Sequence, residues 1–183
     1  MFISGIGAIN ACGIGIECLE MLKQNSNIKD GLISKDAFLS LKNKYDLRRA
    51  DRYTSIVMAS AVQASTDAGF LDCAQPDTGV IIVSAFGPHR TTFAFLNDIL
   101  DYPEDQVLPT TFSHSVHNAA ASYVASSLQI RGPAIAGIFE PASPAEGVAQ
   151  PILRGGTHGG TRLCCATFPV SWGRLESLGG GKN

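Results

Sequence analysis

Gly79-Val80-Ile81-Ile82-Val83-Ser84 is a continuous run of apolar, mostly β-branched residues. A strand with one wet face would alternate apolar and polar side chains. This one does not, so it reads as a strand covered on both faces, as in a parallel sheet. Upstream of it, Asp51 to Ala68 is the clearest helix of the chain. Val57, Ala61, Ala64 and Ala68 share one face, and Gly69 supplies the C-terminal stop. The small residues on that face predict close packing against another element. Downstream, Thr91 to Leu100 reads as a helix and Pro109-Thr110-Thr111 as a loop. Ser115 to Leu128 reads as an alanine-rich helix with Val116, Ala120, Tyr123 and Ser127 on one stripe. Arg131-Gly132-Pro133 breaks it, and Ala134 to Phe139 is a further short strand. Helices thus alternate with strands, which places the chain in the α/β class with a mostly parallel core.

The remaining segments carry weaker patterns. Phe2 to Ala8 is apolar and ends in glycines, and reads as a strand. Gly15 to Leu22 has Ile16, Leu19 and Leu22 at helical spacing. Asn25 to Asp46 is polar and irregular, with one helical turn expected near Ala37 to Leu41. In Ser143-Pro144-Ala145-Glu146, Ser143 can cap first-turn amides, Pro144 sits where no N–H is needed, and Glu146 can return a bond to the Ser143 amide. A helix is expected from Pro144 toward Leu153, with Pro151 awkward in its last turn. Residues 154–183 hold eight of the nineteen glycines, one acidic residue, Glu176, and little periodicity. Leu163 to Val170 reads as a strand within an otherwise irregular tail. That loss of pattern suits a disordered end or a shifted reading frame. The expected division is therefore a domain over residues 1–157 and a glycine-rich tail over residues 158–183.

Composition narrows the classes. The 183 residues are 45% hydrophobic, enough for a full core, and only 16% charged. So sparse a charge predicts that part of the surface is hidden against a partner. A net charge of −2 gives no reason to expect nucleic acid or an anionic membrane. No apolar run reaches the roughly 18 residues of a membrane span. The opening Met1-Phe2-Ile3-Ser4-Gly5 has no basic region or long apolar stretch, so no secretory signal is read there. The five cysteines, Cys12, Cys18, Cys73, Cys164 and Cys165, are odd in number and form no C-x-x-C pair. Free thiols in a reducing, cytoplasmic compartment follow. Cys164, Cys165 and His158 fit no zinc spacing, so no metal site is expected. Gly5-x-Gly7 and Gly13-x-Gly15 lack the third glycine of a dinucleotide fingerprint.

Four stretches, in this order and spacing, resemble the β-ketoacyl synthase family, whose fold is thiolase-like. Gly5-Ile6-Gly7-Ala8-Ile9-Asn10-Ala11-Cys12-Gly13 is similar to the family's opening strand and turn. Asp51-Arg52-Tyr53, with the helix to Asp67-Ala68-Gly69, resembles its second helix. Gly79 to Gly87 resembles the strand and glycine turn that follow. Pro109-Thr110-Thr111-Phe112-Ser113-His114-Ser115-Val116-His117-Asn118-Ala119 through Arg131-Gly132-Pro133 resembles its next loop, helix and Gly-Pro turn. The Ser-Val-His-Asn wording is nearest to a short synthase-like, chain-length-factor-like subgroup. The likeness covers about residues 1–157 and implies the N-terminal half of the fold, layered helices around a mostly parallel sheet.

In that family a catalytic cysteine follows the strand after the Gly-Pro turn, at a helix start. A helix N-terminus lowers a thiol's pKa, and its amides hold the thioester oxyanion. Counting from Gly132, the position falls at Pro141, which has neither a nucleophile nor an amide donor. The family's two catalytic histidines belong to a second half. Thr157-His158-Gly159-Gly160-Thr161 comes too soon after the nucleophile position to supply one. The resemblance, with this departure, implies a non-condensing partner of an active synthase in fatty-acid or polyketide biosynthesis. The alternatives are an acyltransferase or malonyl decarboxylase using Glu140 or Ser143, and a truncated inactive remnant. Ser143 has a sufficient role as a cap, and Glu140 as a solvated or partner-facing carboxylate.

Further expectations follow from the same resemblance. Ala134, Ile135, Ala136, Gly137 and Ile138 form the strand that pairs across the dimer axis, in a homodimer or in a heterodimer with an active synthase. An apolar edge strand wants such a partner. His114, His117, Asn118 and Phe139 are candidates to line an acyl or carrier-arm path. His114 and His117, three residues apart, are expected on one face at a helix start. Arg48, Arg49 and Arg52, beside Asp51, are either a solvated face or a docking patch for an acidic acyl carrier protein. Cys12 and Cys18 are expected to be buried fillers. No cofactor is implied.

Overall fold

The structure is a computed structural model, and it describes residues 4–10, 12–24, 33–71, 78–84, 86–138 and 162–167. Its elements in chain order are β1 (Ile9–Asn10), β2 (Gly13–Ile14), α1 (Glu17–Gln24), α2 (Leu39–Lys44), α3 (Arg52–Asp67), β3 (Thr78–Ser84), α4 (His89–Asp101), α5 (Pro109–Ser115), α6 (Ala119–Ser127), β4 (Ala134–Ile138) and β5 (Arg162–Thr167). Short 3₁₀ turns cover Asp36–Phe38, Leu47–Arg49 and Glu104–Gln106.

The run that decided the class forms β3, the middle strand of a parallel sheet ordered β4-β3-β5. Val80 pairs with Ala134 on one side and Cys164 on the other. Val80, Ile81 and Ile82 are all buried, so the strand is covered on both faces, as its unbroken apolar run requires. Val80 and Ile82 join Leu47, Val57, Met58, Ala61, Ala120, Ala121, Val124, Leu128 and Ile130 in one core. Helices α3 and α6 supply most of it and pack against each other and against the sheet. The chain is therefore α/β, with layered helices around a small parallel sheet.

Helix α3 is closed at both ends by side-chain and backbone devices. The Asp51 carboxylate accepts from the Thr54 amide at 2.8 Å, an N-cap. At the other end Gly69 takes φ +71, Phe70 N–H donates to Ser65 C=O, and Gly69 N–H donates to Thr66 C=O. That is a Schellman closure, in which glycine carries the left-handed residue without steric cost. The small face predicted for α3 does receive a close neighbour. A Cβ on Gly7 would lie 2.1 Å from the Ser60 carbonyl oxygen, and one on Gly5 would lie 2.3 Å from that of Ala64.

That contact also corrects an expectation. The described part of Phe2 to Ala8 is not a strand. Residues 4–8 run flush along α3, and the Ile6 amide donates to the Asp67 carboxylate at 2.9 Å instead of to a neighbouring strand. The nearby pairing is a small antiparallel hairpin of β1 and β2.

Two further corrections concern residues 109–128. Pro109-Thr110-Thr111 is not a loop but the start of α5, with Pro109 in the first turn, where its missing N–H costs nothing. The helix expected from Ser115 to Leu128 starts only at Ala119, as α6, and Ser115 instead closes α5. In a continuous helix the Ala119 amide would donate to the Ser115 carbonyl. Here it turns to Val116 C=O at 3.2 Å, while Ser115 C=O accepts the Thr92 hydroxyl at 3.0 Å. The buried stripe of α6 is accordingly Ala120, Ala121 and Val124, followed by Leu128, rather than one through Val116 and Ser127.

Within the stretch read as a tail, Arg162–Thr167 forms β5, which overlaps the strand expected at Leu163 to Val170 and joins the core sheet. The capping box at Ser143 and the helix beyond it lie outside the described residues. The boundary placed after residue 157 stays an expectation.

Candidate functional site

Asp51 is the joint of the helical layer. One carboxylate oxygen caps α3, and the other accepts the Thr91 hydroxyl from the first turn of α4 at 2.6 Å. The Ser55 hydroxyl donates to the Asp51 backbone carbonyl at 2.8 Å. Two residues on, Tyr53 is partly buried and shares a hydrogen bond with Ser84 at the end of β3. Burial pushes its phenol above the ordinary tyrosine range, the nearby Asp51 carboxylate adds to the rise, and the Ser84 bond pulls the other way. Ser84 also receives the Gly87 amide at 2.9 Å, which shapes the turn leaving β3. The start of α3, the start of α4 and the carboxyl end of the central strand are thus tied together.

Beside this joint lies an open cleft of about 510 Å³ lined by Arg49, Asp51, Thr91, Thr110, Thr111 and His114. His114 sits in the last turn of α5, its ring 5.7 Å from the Tyr123 ring of α6. Its Nδ1 is buried and bonded to no protein atom among the described residues. A buried ring nitrogen without a partner is uncommon and calls for an explanation.

His117 goes elsewhere. Because α5 ends at Ser115, His114 and His117 do not share a helix face. The His117 ring lies over the glycine turn after β3, where a Cβ on Gly87 would come within 2.5 Å of it. Asn118 stands at the N-cap position of α6, yet its side chain makes no cap bond there. Turns at the carboxyl ends of parallel strands are where open α/β sheets bind ligands, and His117 is placed at one such end. Phe139, Glu140, Pro141 and Ser143 lie outside the described residues.

The three arginines diverge as well. Arg48 pairs with Asp46 at 3.0 Å, both side chains being largely exposed. A pair so exposed contributes little to stability. Arg52 donates to the Ile33 backbone carbonyl at 2.6 Å. Arg49 has no hydrogen bond or ion pair among the described residues and lines the cleft. Sequence reasoning missed the link from Asp51 to Thr91 and the gathering of Thr110 and Thr111 beside Arg49. Asp before a helix was the one local signal available for it, as a cap.

Ala134–Ile138 forms β4, an edge strand: β3 occupies one side, and no strand pairs with the other among the described residues. Ala134 and Ile135 are exposed, Ile135 to 37%. No cluster of metal-ligating side chains occurs among the described residues. No helix among them is long and apolar enough to cross a membrane.

Comparison with known proteins agrees with this architecture. No curated protein matches the chain significantly. Among solved structures, the ishigamide ketosynthase/chain length factor is similar over 84% of this chain and 49% of its own, at 17% identity and a TM-score of 0.64. A β-ketoacyl synthase from Burkholderia phymatum is similar over 83% of this chain and 41% of its own, at 16% identity and a TM-score of 0.50. The chain thus spans about half the length of each, and at these identities the likeness bears on the fold. The profile of the β-ketoacyl synthase N-terminal domain matches residues 43–137, just over half of the sequence, and takes in α3, β3, α4, α5, α6 and nearly all of β4. The chain belongs to the β-ketoacyl synthase family.

Proposed function

We propose that this chain is a non-condensing, chain-length-factor-like subunit that pairs with an active β-ketoacyl synthase in fatty-acid or polyketide biosynthesis. The observation that carries the reading is β4. Its outer edge has no strand partner among the described residues, and Ala134 and Ile135 are exposed along it. An edge of this kind is completed by a strand from another chain. A second support is apolar surface: Phe93, Leu96, Ile99 and Leu100 of α4 are exposed, with Leu108 just before α5 and Phe112 within it. Contiguous apolar surface of this kind marks an interface. The sequence adds Pro141 at the nucleophile position, counted from the Gly132-Pro133 turn that leads into β4. The similar ishigamide protein is itself described as a ketosynthase/chain length factor.

In this reading His117 and Asn118 border the acyl path near the ends of the parallel strands, Phe139 is proposed for the same path from the sequence, and an acyl carrier protein delivers the chain. Of the three arginines proposed for carrier docking, Arg49 is the one with its guanidinium unengaged among the described residues. Glu140 and Ser143 act as structural residues rather than as a base or a nucleophile.

Co-expression with a cysteine-bearing synthase encoded beside this gene tests the proposal. A complex that survives size exclusion, and that Ile135→Asp disperses, is expected. The chain alone, given malonyl- and acyl-loaded carrier protein, is expected to release no CO2 and no condensed product by mass spectrometry. Turnover abolished by Glu140→Gln or Ser143→Ala would replace the partner role with an enzymatic one. A stable monomer that binds no such synthase would leave an inactive remnant as the reading.

A further inference from the structure

The cleft between α3, α4 and α5 gathers polar side chains that the fold leaves unengaged. It collects one unengaged cation, Arg49, two threonines, Thr110 and Thr111, whose hydroxyls bond no described protein atom, and His114 with its buried, unpartnered Nδ1. The single carboxylate present, Asp51, is already engaged on both oxygens by the Thr54 amide and the Thr91 hydroxyl. Its charge also sits at the N-terminus of α3, where the helix dipole offsets it. The groups left over are a fork of guanidinium donors and two hydroxyl donors. A carboxylate would use only part of that set. A tetrahedral oxyanion presents enough acceptors to engage all of it, and arginine with hydroxyl donors is a recurrent phosphate-binding combination.

We infer that this cleft binds a phosphate group, free or as a monoester, held by Arg49, Thr110 and Thr111, with the His114 ring in the cleft wall beside it. The inference does not depend on the pairing role proposed above, because all its groups belong to one chain. It gives Arg49 a task distinct from that of Arg48, whose charge is spent on Asp46.

Titration of the full chain with inorganic phosphate, followed by proton NMR of the His114 ring, tests it. The His114 signals are those that vanish in His114→Asn. A saturable shift is expected, with Arg49→Gln raising the apparent Kd by about tenfold or more, the size expected for losing a charged hydrogen bond. Arg49 is exposed, so the variant should keep the far-UV circular dichroism of the parent. Acetate at matched ionic strength should give no saturable shift. The inference is overturned if phosphate leaves His114 unmoved, if Arg49→Gln binds as well as the parent, or if acetate matches phosphate. A second arm identifies the source. Phosphopantetheine binding more than tenfold tighter than phosphate assigns an esterified ligand, and equal or weaker binding assigns the free anion.

Discussion

Helices α3 and α4 are neighbours in sequence, joined through Asp51 and Thr91, yet they are buried in opposite ways. In α3, Val57, Met58 and Ala59 are fully buried, and its small face lies under Gly5 and Gly7. In α4 no residue is buried; Phe93 is 63% exposed and Leu100 81%. Both helices are comparably apolar, so apolar content alone does not say which one belongs to the core. What separates them is side-chain size. Its alanines, met by Gly5 and Gly7, let α3 approach its neighbours closely, whereas α4 holds large side chains outward and, among the described residues, packs mainly on α5, through the Phe95–Phe112 ring pair at 5.3 Å. The first helix is finished within this chain. The second reads as half of a contact.

The comparison can be broken at several points. Met58→Ala opens a cavity in the core, and a loss of about 2–5 kcal/mol in urea unfolding is expected. An effect below about 1 kcal/mol would show that α3 is less well packed than its burial indicates. Gly7→Ala pushes a methyl into the Ser60 backbone carbonyl, which cannot swing aside as a side chain would, and an overpacking cost of about 1–3 kcal/mol is expected. Asp51→Ala removes the α3 cap and the acceptor for Thr91 together. About 1–2 kcal/mol should be lost, with faster amide exchange in the first turns of both helices. Phe93→Ser should change the stability of the isolated chain by no more than about 0.5 kcal/mol, because the side chain touches little there. The same substitution should weaken association with a synthase partner, measurable by analytical ultracentrifugation. A large loss in the isolated chain would mean that α4 already has its partner within the chain.

Much of the fold was readable from local pattern. The β-branched run announced β3, the apolar spacing and the Gly69 stop announced α3, and the short apolar run after the Gly-Pro turn announced β4. The misses came from distant partners. Nothing in Ser4 to Ala8 says that Asp67 will take the Ile6 amide, and nothing in Ser115 says that Thr92 will take its carbonyl and end α5. The site followed the same rule. Residue types suited to binding were picked out at His114, His117 and Arg49. That His114 and Arg49 would line one cleft while His117 faced the Gly87 turn depended on a break in α5 that no local spacing encodes.

The central position of β3 also governs the order in which the molecule can be assembled. During synthesis Val80, Ile81 and Ile82 emerge with α3 already made, but Ala134 and Cys164, the neighbours that flank Val80, come much later. Until then the most apolar strand of the chain has a helix to lean on and no hydrogen-bonding partner on either edge. Such non-local pairing folds slowly and leaves an aggregation-prone strand exposed in the interval. Yield from an expression host should therefore respond to chaperone supply and temperature more than the equilibrium stability of the finished sheet would suggest.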